Sequence, residues 1–267
     1  MNRLHRPRKR FGQHFLQDRG TIDRIIAAIH AQPGQHLIEI GPGKGALTIP
    51  LLQCVGEMHA VELDRDLAGY LAIRCQAYGT LHIHSADVLK FDFSQFPVAD
   101  LRIVGNLPYN ISTPLLFHLL DYKDHIRDML FMLQREVVER ICSLPGNRNY
   151  GRLSVMLQYH YEIDPLFSIG PEVFTPVPRV DSAVIRLKPW PEPRYQKTDT
   201  MILSRIVKAA FAQRRKTLRN ALRGIIPESQ LDAMGIASSR AETLPVEVFV
   251  SLANFCSADK NQQPAED

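Results

Sequence analysis

Ile22, Ile25, Ile26 and Ile29 recur at helical spacing, and Pro33-Gly34 stops the helix they predict. Beyond it the pattern changes to short continuous apolar runs bounded by turn residues. The runs at 37–40, 58–63, 81–84, 101–104 and 128–133 are too short for helices and predict buried strands. The stretches 46–53 and 64–76 between them suit helices. Strands alternating with helices predict an α/β fold, a mostly parallel sheet with helices on both faces. The pattern shifts again after residue 150. Segment 150–161 reads as a helix, and 163–169 and 180–187 read as two strands around a proline-rich loop, closing the sheet with an antiparallel edge. Prolines 189, 191 and 193 mark a linker, since closely spaced prolines continue neither element. Residues 199–258 are helix-like. The expected division is therefore one domain over 1–190, including its N-terminal segment, and a small helical domain over 197–267.

Composition agrees with that division. The chain has 267 residues, 45% of them hydrophobic, enough for one large core and a small second one. No apolar run approaches the roughly eighteen residues of a membrane span, so a protein without a membrane segment, inside the cell, is expected. Its four cysteines are scattered without a C-x-x-C pair, which argues against a zinc site, a redox motif or a disulfide framework. The charge changes the picture more. Residues 1–10 hold Arg3, Arg6, Arg8, Lys9 and Arg10; residues 201–227 hold Arg205, Lys208, Arg214, Arg215, Lys216, Arg219 and Arg223, and neither stretch contains an acid. Without those twelve charges the net +4 becomes −8. A solvated tail or helix face explains one such run; two in an otherwise acidic chain point to a polyanion.

Two constellations carry chemistry. In the first, Glu39-Ile40-Gly41-Pro42-Gly43-Lys44-Gly45 turns from strand to helix, with Glu62 at the end of the next strand. Glycines let the backbone approach a ligand, and a carboxylate about 20 residues on can hold the hydroxyls of a ribose. The G-x-G-x-G spacing marks a nucleoside cofactor without saying which. Asp87, followed by Val88, closes the third strand; alone it reads as a turn cap, in register with Gly41 and Glu62 as a ligand for an adenine amine. In the second, Asn106-Leu107-Pro108-Tyr109 ends the fourth strand. A nucleobase amine is a poor nucleophile because its lone pair is delocalised into the ring. The Asn106 side-chain oxygen and the Leu107 carbonyl could hold its N–H groups and aim the lone pair at a methyl, with Pro108 extending Leu107 and Tyr109 stacking on the base.

With these motifs, Arg8-Lys9-Arg10-Phe11-Gly12-Gln13-His14-Phe15-Leu16, Phe174-Thr175-Pro176-Val177-Pro178-Arg179-Val180-Asp181-Ser182 and Phe211-Ala212-Gln213-Arg214-Arg215-Lys216-Thr217-Leu218-Arg219 follow in order over nearly the whole chain. The set resembles the ribosomal RNA adenine dimethyltransferase family, in its bacterial small-subunit form. The resemblance implies a Rossmann-like sheet using S-adenosyl-L-methionine, a small C-terminal α-helical domain, and dimethylation at N6 of two adjacent adenosines in a hairpin near the 3′ end of 16S rRNA. It implies cofactor contacts at His14, Leu16, Gly41, Gly43, Glu62, Asp87 and Val88, with Asn106 shared between the cofactor and the target base. The family often has Asn where this chain has His14, so position 14 acts through its backbone or His14 supplies an equivalent group. Phe174 opens a loop stiffened by Pro176 and Pro178. It is either a core residue or a second ring over the base opposite Tyr109, and its polar surroundings favour the second. Arg8, Lys9 and Arg10 are expected to hold RNA at the mouth of the site, and Arg214, Arg215, Lys216, Arg219 and Arg223 to grip phosphates farther off. No metal is required; the expected partner is 16S rRNA in the small subunit or its precursor, and the expected state is a cytoplasmic monomer.

Other readings stay open at this level. A DNA adenine methyltransferase could share the glycine turn and the Asn-x-Pro-Tyr motif, and the enzymes that dimethylate 23S rRNA share the catalytic motifs, although 213–220 fits the small-subunit group better. A nicotinamide-dependent dehydrogenase leaves 106–109 unexplained. A non-catalytic ribosome-assembly protein leaves the set Gly41, Glu62, Asp87 and Asn106 unexplained. His82 and His84 share a strand face, but no third metal ligand is evident near them.

Overall fold

The computed structural model describes residues 14–260, so Arg8, Lys9 and Arg10 lie outside the described residues. In chain order its elements are β1 (Phe15–Leu16), α1 (Arg19–Ile29), β2 (Leu37–Ile40), α2 (Thr48–Val55), β3 (Glu57–Val61), α3 (Arg65–Arg74), β4 (Thr80–His84), β5 (Leu101–Asn106), α4 (Ser112–Leu120), β6 (Ile126–Gln134), α5 (Arg135–Cys142), α6 (Arg152–His160), β7 (Tyr161–Ile169), β8 (Phe174–Thr175), β9 (Ser182–Pro189), α7 (Thr200–Ala210), α8 (Leu218–Ala221), α9 (Glu228–Ala233) and α10 (Val246–Lys260). They form two compact units. One comprises residues up to 138 together with 163–189; the other comprises 139–162 together with 190 onward.

The first unit is built on a seven-stranded sheet of order β4-β3-β2-β5-β6-β9-β7. From β4 to β6 neighbours are parallel, and β9 runs antiparallel to β6. All four residues of β2 are buried, as expected of a central strand covered on both faces. At the far edge β7 carries Pro165, a residue that cannot donate to a ladder and is tolerated where one side of a strand has no partner. Ile25 and Ile29 of α1, Leu51 and Leu52 of α2 and Leu71 of α3 meet Leu37, Met58 and Val104 of the strands in one core. Each such side chain contributes about 1.5–3 kcal/mol by leaving water. Asp18 and Asp64 accept from backbone N–H groups of the first turns of α1 and α3. Buried Arg102 of β5 forms a two-pronged pair with Asp128 of β6 at 2.7 and 2.8 Å and donates to the Ile29 carbonyl and to Gln35, so its donors are met as it ties the end of α1 to the sheet.

The strand runs read from the sequence are all strands, but β5 reaches Asn106 rather than ending at 104, so the key amide projects from a strand end. Helices α4 and α5 fill stretches for which the sequence reading named no element. Strands β1 and β8 form a separate two-stranded ribbon, Phe15 opposite Thr175 and Leu16 opposite Phe174, joining chain segments about 160 residues apart.

The second unit is helical. Leu203, Ile206 and Val207 of α7 are buried, as are Phe249, Leu252 and Ala253 of α10. The Phe211 ring lies 6.0 Å from Tyr150 and 5.6 Å from Phe249. Helix α6 packs on α7 and α10, so residues 139–162 join this unit, where the sequence reading divided the chain only near residue 190. The stretch 189–193 is docked rather than a free spacer: Trp190 donates from its backbone to the His160 carbonyl and from Nε1 to the Gln158 carbonyl, with Arg194 over its ring. Among the described residues no helix is long and apolar enough to cross a membrane.

Candidate active site

In the first unit the strand order reverses between β2 and β5, and there the carboxyl ends of parallel strands open a crevice. A cavity of about 330 Å³ lies at those ends, of the size that takes a small molecule. Gly41 and Gly43, with φ of 67° and 56°, carry the chain out of β2 in a left-handed path that favours glycine. A Cβ on Gly43 would lie 3.2 Å from the Phe15 ring, so β1 sits directly against the glycine turn. Lys44 Nζ lies 4.7 Å from the centre of that same ring.

Beyond β3, Glu62 reaches back across the turn. Its Oε2 accepts from Gly43 N at 3.2 Å and its Oε1 from Asp64 N at 2.9 Å. Burial pushes the Glu62 carboxyl up, and those two backbone donors oppose the shift. Glu39, in β2 and also on the cavity wall, is 2% exposed, and burial, against the Thr48 hydroxyl and with a smaller push from Glu62, raises it to about 8. Past β4, Asp87 Oδ1 caps the turn that follows by accepting from Leu89 N at 3.0 Å. Asp87 thus caps a turn and borders the cavity at once, and Val88 beside it is buried.

At the end of β5, Asn106 Nδ2 donates to the His14 carbonyl at 3.1 Å. A carbonyl can only accept, so this contact decides which way the amide points. Among the described residues Asn106 Oδ1 and the Leu107 carbonyl accept no hydrogen bond from a side chain. Leu107 is anchored by its own N–H on the Met132 carbonyl at 3.1 Å. The Pro108 carbonyl accepts from Ser112 Oγ and Ile111 N, which holds the start of α4 beneath the tetrapeptide. The Tyr109 hydroxyl meets Ser182 Oγ at 2.8 Å, and burial raises its pKa. The His14 ring stacks on Tyr109 with centroids 5.8 Å apart and planes 25° from parallel, while its Nδ1 reaches the Pro176 carbonyl at 2.7 Å.

His14, Leu16, Gly41, Gly43, Glu62, Asp87, Val88, Asn106, Leu107, Pro108 and Tyr109 thus border one cavity. Phe174 does not. The expected second ring over a base is corrected here: Phe174 is 1% exposed in the core with Leu16, Val104 and Val184, because pairing of β8 with β1 turns its side chain inward. Glu39, Leu63 and Ser182 had no assigned role; Glu39 was visible as the acid opening the glycine motif, and Ser182 as the end of the Val180-Asp181-Ser182 run. His82 pairs with Glu57 at 2.7 Å and His84 Nε2 meets His59 Nδ1 at 3.1 Å, away from the cavity wall.

In the second unit the predicted cations are not alike. Arg214 pairs with Glu242 at 3.1 Å, and Arg219 with Glu228 and Asp232 at 2.8 and 2.9 Å. Arg215, Lys216 and Arg223 are exposed and, among the described residues, pair with no carboxylate.

Residues 4–258 match the model of the ribosomal RNA adenine dimethylase family. The chain is 52% identical to a ribosomal RNA small subunit methyltransferase A of Hydrogenovibrio crunogenus over 96% of this chain and 98% of that one. It is 51% identical to the protein of the same name in Nitrosococcus oceani, again over 96% and 98%. Among solved structures, a dimethyladenosine transferase from Plasmodium falciparum superposes with a TM-score of 0.79 at 23% identity, covering 92% of this chain and 98% of that one. The 23S rRNA methyltransferase ErmE does so with 0.68 at 25% identity, covering 91% and 99%.

Proposed function

The chain belongs to the ribosomal RNA adenine dimethylase family, and from that premise we propose that it methylates N6 of two adjacent adenosines in the 3′-terminal hairpin of 16S rRNA, using S-adenosyl-L-methionine and giving N6,N6-dimethyladenosine. The observation that carries this reading is the Asn106 amide: with Nδ2 held by the His14 carbonyl, Oδ1 is left as an acceptor beside the Leu107 carbonyl. Two acceptors at one strand end suit the two N–H groups of an adenine amine. The cavity fits the proposed methyl donor by its donor set. Glu62 holds the glycine turn in place and presents a carboxylate for a ribose, Asp87 presents one for an adenine amine, and Leu63 and Val88 add apolar surface.

The methyl donor, when bound, supplies an electrophilic methyl on a sulfonium. Asn106 and Leu107 orient the amine and hold its hydrogens, so its lone pair is freed from the ring; Tyr109, fixed by Ser182 and by the His14 ring, offers a face on which the turned-out base stacks. Positioning does more here than proton transfer. As the N–C bond forms the C–S bond breaks and the thioether leaves. After the first transfer the methylated amine sheds one proton to solvent, so only one N–H remains, one of the two acceptors loses its partner and the pocket must hold the first methyl. The relatives at 51–52% identity carry a small-subunit name, which favours 16S over 23S rRNA. A monomer acting in the cytoplasm completes the proposal, with rRNA of the small subunit or its precursor as partner.

Incubating the enzyme with labelled S-adenosylmethionine and unmethylated 30S particles, and mapping the modified bases by mass spectrometry, tests the reading. Label is expected on two neighbouring adenines. Asn106→Ala is expected to bind the cofactor nearly as well as the parent and to transfer no methyl. Label absent from adenine, or dimethylation at near-normal rate by that variant, would overturn it.

A further inference from the structure

Glu39 is a buried acid on the cavity wall that the reading above leaves without a task. It is 2% exposed, and among the described residues its Oε2 accepts no hydrogen bond. The Thr48 hydroxyl of α2 lies beside it and opposes part of the upward push on its pKa, although among the described residues it completes no hydrogen bond of its own. Glu62 at the end of β3 repels a second negative charge there, and the Cys75 thiol at the end of α3 feels the same carboxyl. Lys44, Asp87, His14 and Tyr109 are the other charged or titratable groups on the wall. Burying an anion that lacks donors is costly, and a carboxyl so placed takes up a proton instead. Burial and Glu62 accordingly hold Glu39 protonated up to about pH 8.

Such a group responds to charge brought into the cavity. A sulfonium ligand carries one more positive charge than its thioether product, and in a water-poor site that charge stabilises a nearby carboxylate strongly. Resting on the reading of this cavity as the S-adenosylmethionine site, we propose that Glu39 gives its proton to solvent when the cationic methyl donor binds and keeps it when the neutral thioether product binds. The wall thereby tells fresh donor from spent donor by charge.

The consequence is a proton count. Binding that releases a proton strengthens as pH rises, by at most about tenfold per pH unit for one proton. Between about pH 6.5 and 8 the Kd for S-adenosylmethionine is expected to fall severalfold, whereas that for S-adenosylhomocysteine stays within about twofold. Calorimetric titration of each ligand at neutral pH, in buffers of different ionisation enthalpy, counts the protons directly: a large fraction of one is expected for the donor and close to none for the product. Glu39→Gln keeps the shape but cannot ionise, and is expected to flatten the donor's pH dependence. Equal proton counts for the two ligands, or a slope that survives in Glu39→Gln, would sink the proposal. Should Glu39→Gln fail to fold by circular dichroism, the donor-against-product comparison in the unmodified enzyme still decides. If S-adenosylmethionine does not bind at all, the cofactor reading itself falls, a result distinct from binding without proton release.

Discussion

His14 touches the site in three ways: its carbonyl fixes the Asn106 amide, its ring stacks on Tyr109, and its Nδ1 holds the Pro176 carbonyl. The resemblance left open whether position 14 works through backbone or side chain, and here it uses both. His14→Ala retains the carbonyl and removes the ring. An aromatic pair and one hydrogen bond together are worth about 1–2 kcal/mol, so single-turnover methylation should slow roughly tenfold while cofactor affinity changes little. A loss as complete as that of Asn106→Ala would show that the ring does more than position. Sequence reasoning found Asn106 and Tyr109 because an Asn-x-Pro-Tyr run after a strand is a local pattern. It could not orient the amide, since the deciding carbonyl lies 92 residues away. Phe174 shows the same limit from the other side. Its polar neighbours argued for the cavity, yet pairing of Leu16 with Phe174 sets its side chain into the core.

Among the elements, β2 and β5 decide where the glycine turn stands relative to Asn106. They approach closely at Gly105, where a Cβ would lie 2.5 Å from the Ile40 carbonyl oxygen and 3.2 Å from Leu107. Because that oxygen belongs to a paired strand, it cannot move aside cheaply. Gly105→Ala is expected to cost about 1–3 kcal/mol by overpacking, seen as a lower melting midpoint, and to slow transfer because Asn106 is the next residue. An unchanged melting curve would mean that the two strands slide apart freely. The strands themselves were legible because short apolar runs between turn residues are a property of neighbouring positions. Helix α4 was not: beyond Ser112 and Thr113 it is apolar except for His118, so it shows no continuous polar face, and its Pro114 sits in the first turn where it is tolerated. The ribbon of β1 with β8 was invisible for another reason. Two-residue strands have no period to read, and their pairing is long-range.

For the molecule as a whole, the segregated charge of the sequence remains, but three-dimensional pairing redistributes it. Arg214 and Arg219 face carboxylates in their own unit, whereas among the described residues Arg215, Lys216 and Arg223 do not. Replacing Arg215, Lys216 and Arg223 together by Gln is expected to raise the KM for 30S particles and to reduce the log–log salt slope of binding by roughly 0.7–0.9 per lost phosphate contact. Arg219→Gln is expected to alter the slope less and the melting midpoint more. Equal salt slopes for the triple variant and the parent would remove these residues from the RNA surface. The sequence by itself determined the class of fold, the nucleoside-type turn with its acids and the Asn-x-Pro-Tyr end of a strand, because periodicity, turn chemistry and motif spacing act between near neighbours. Tertiary structure alone decided which way Asn106 points, that Phe174 is core, which arginines keep their charge free, and that Glu39 is buried beside Glu62. Each of these depends on groups distant along the chain whose approach sets burial, pairing and local dielectric.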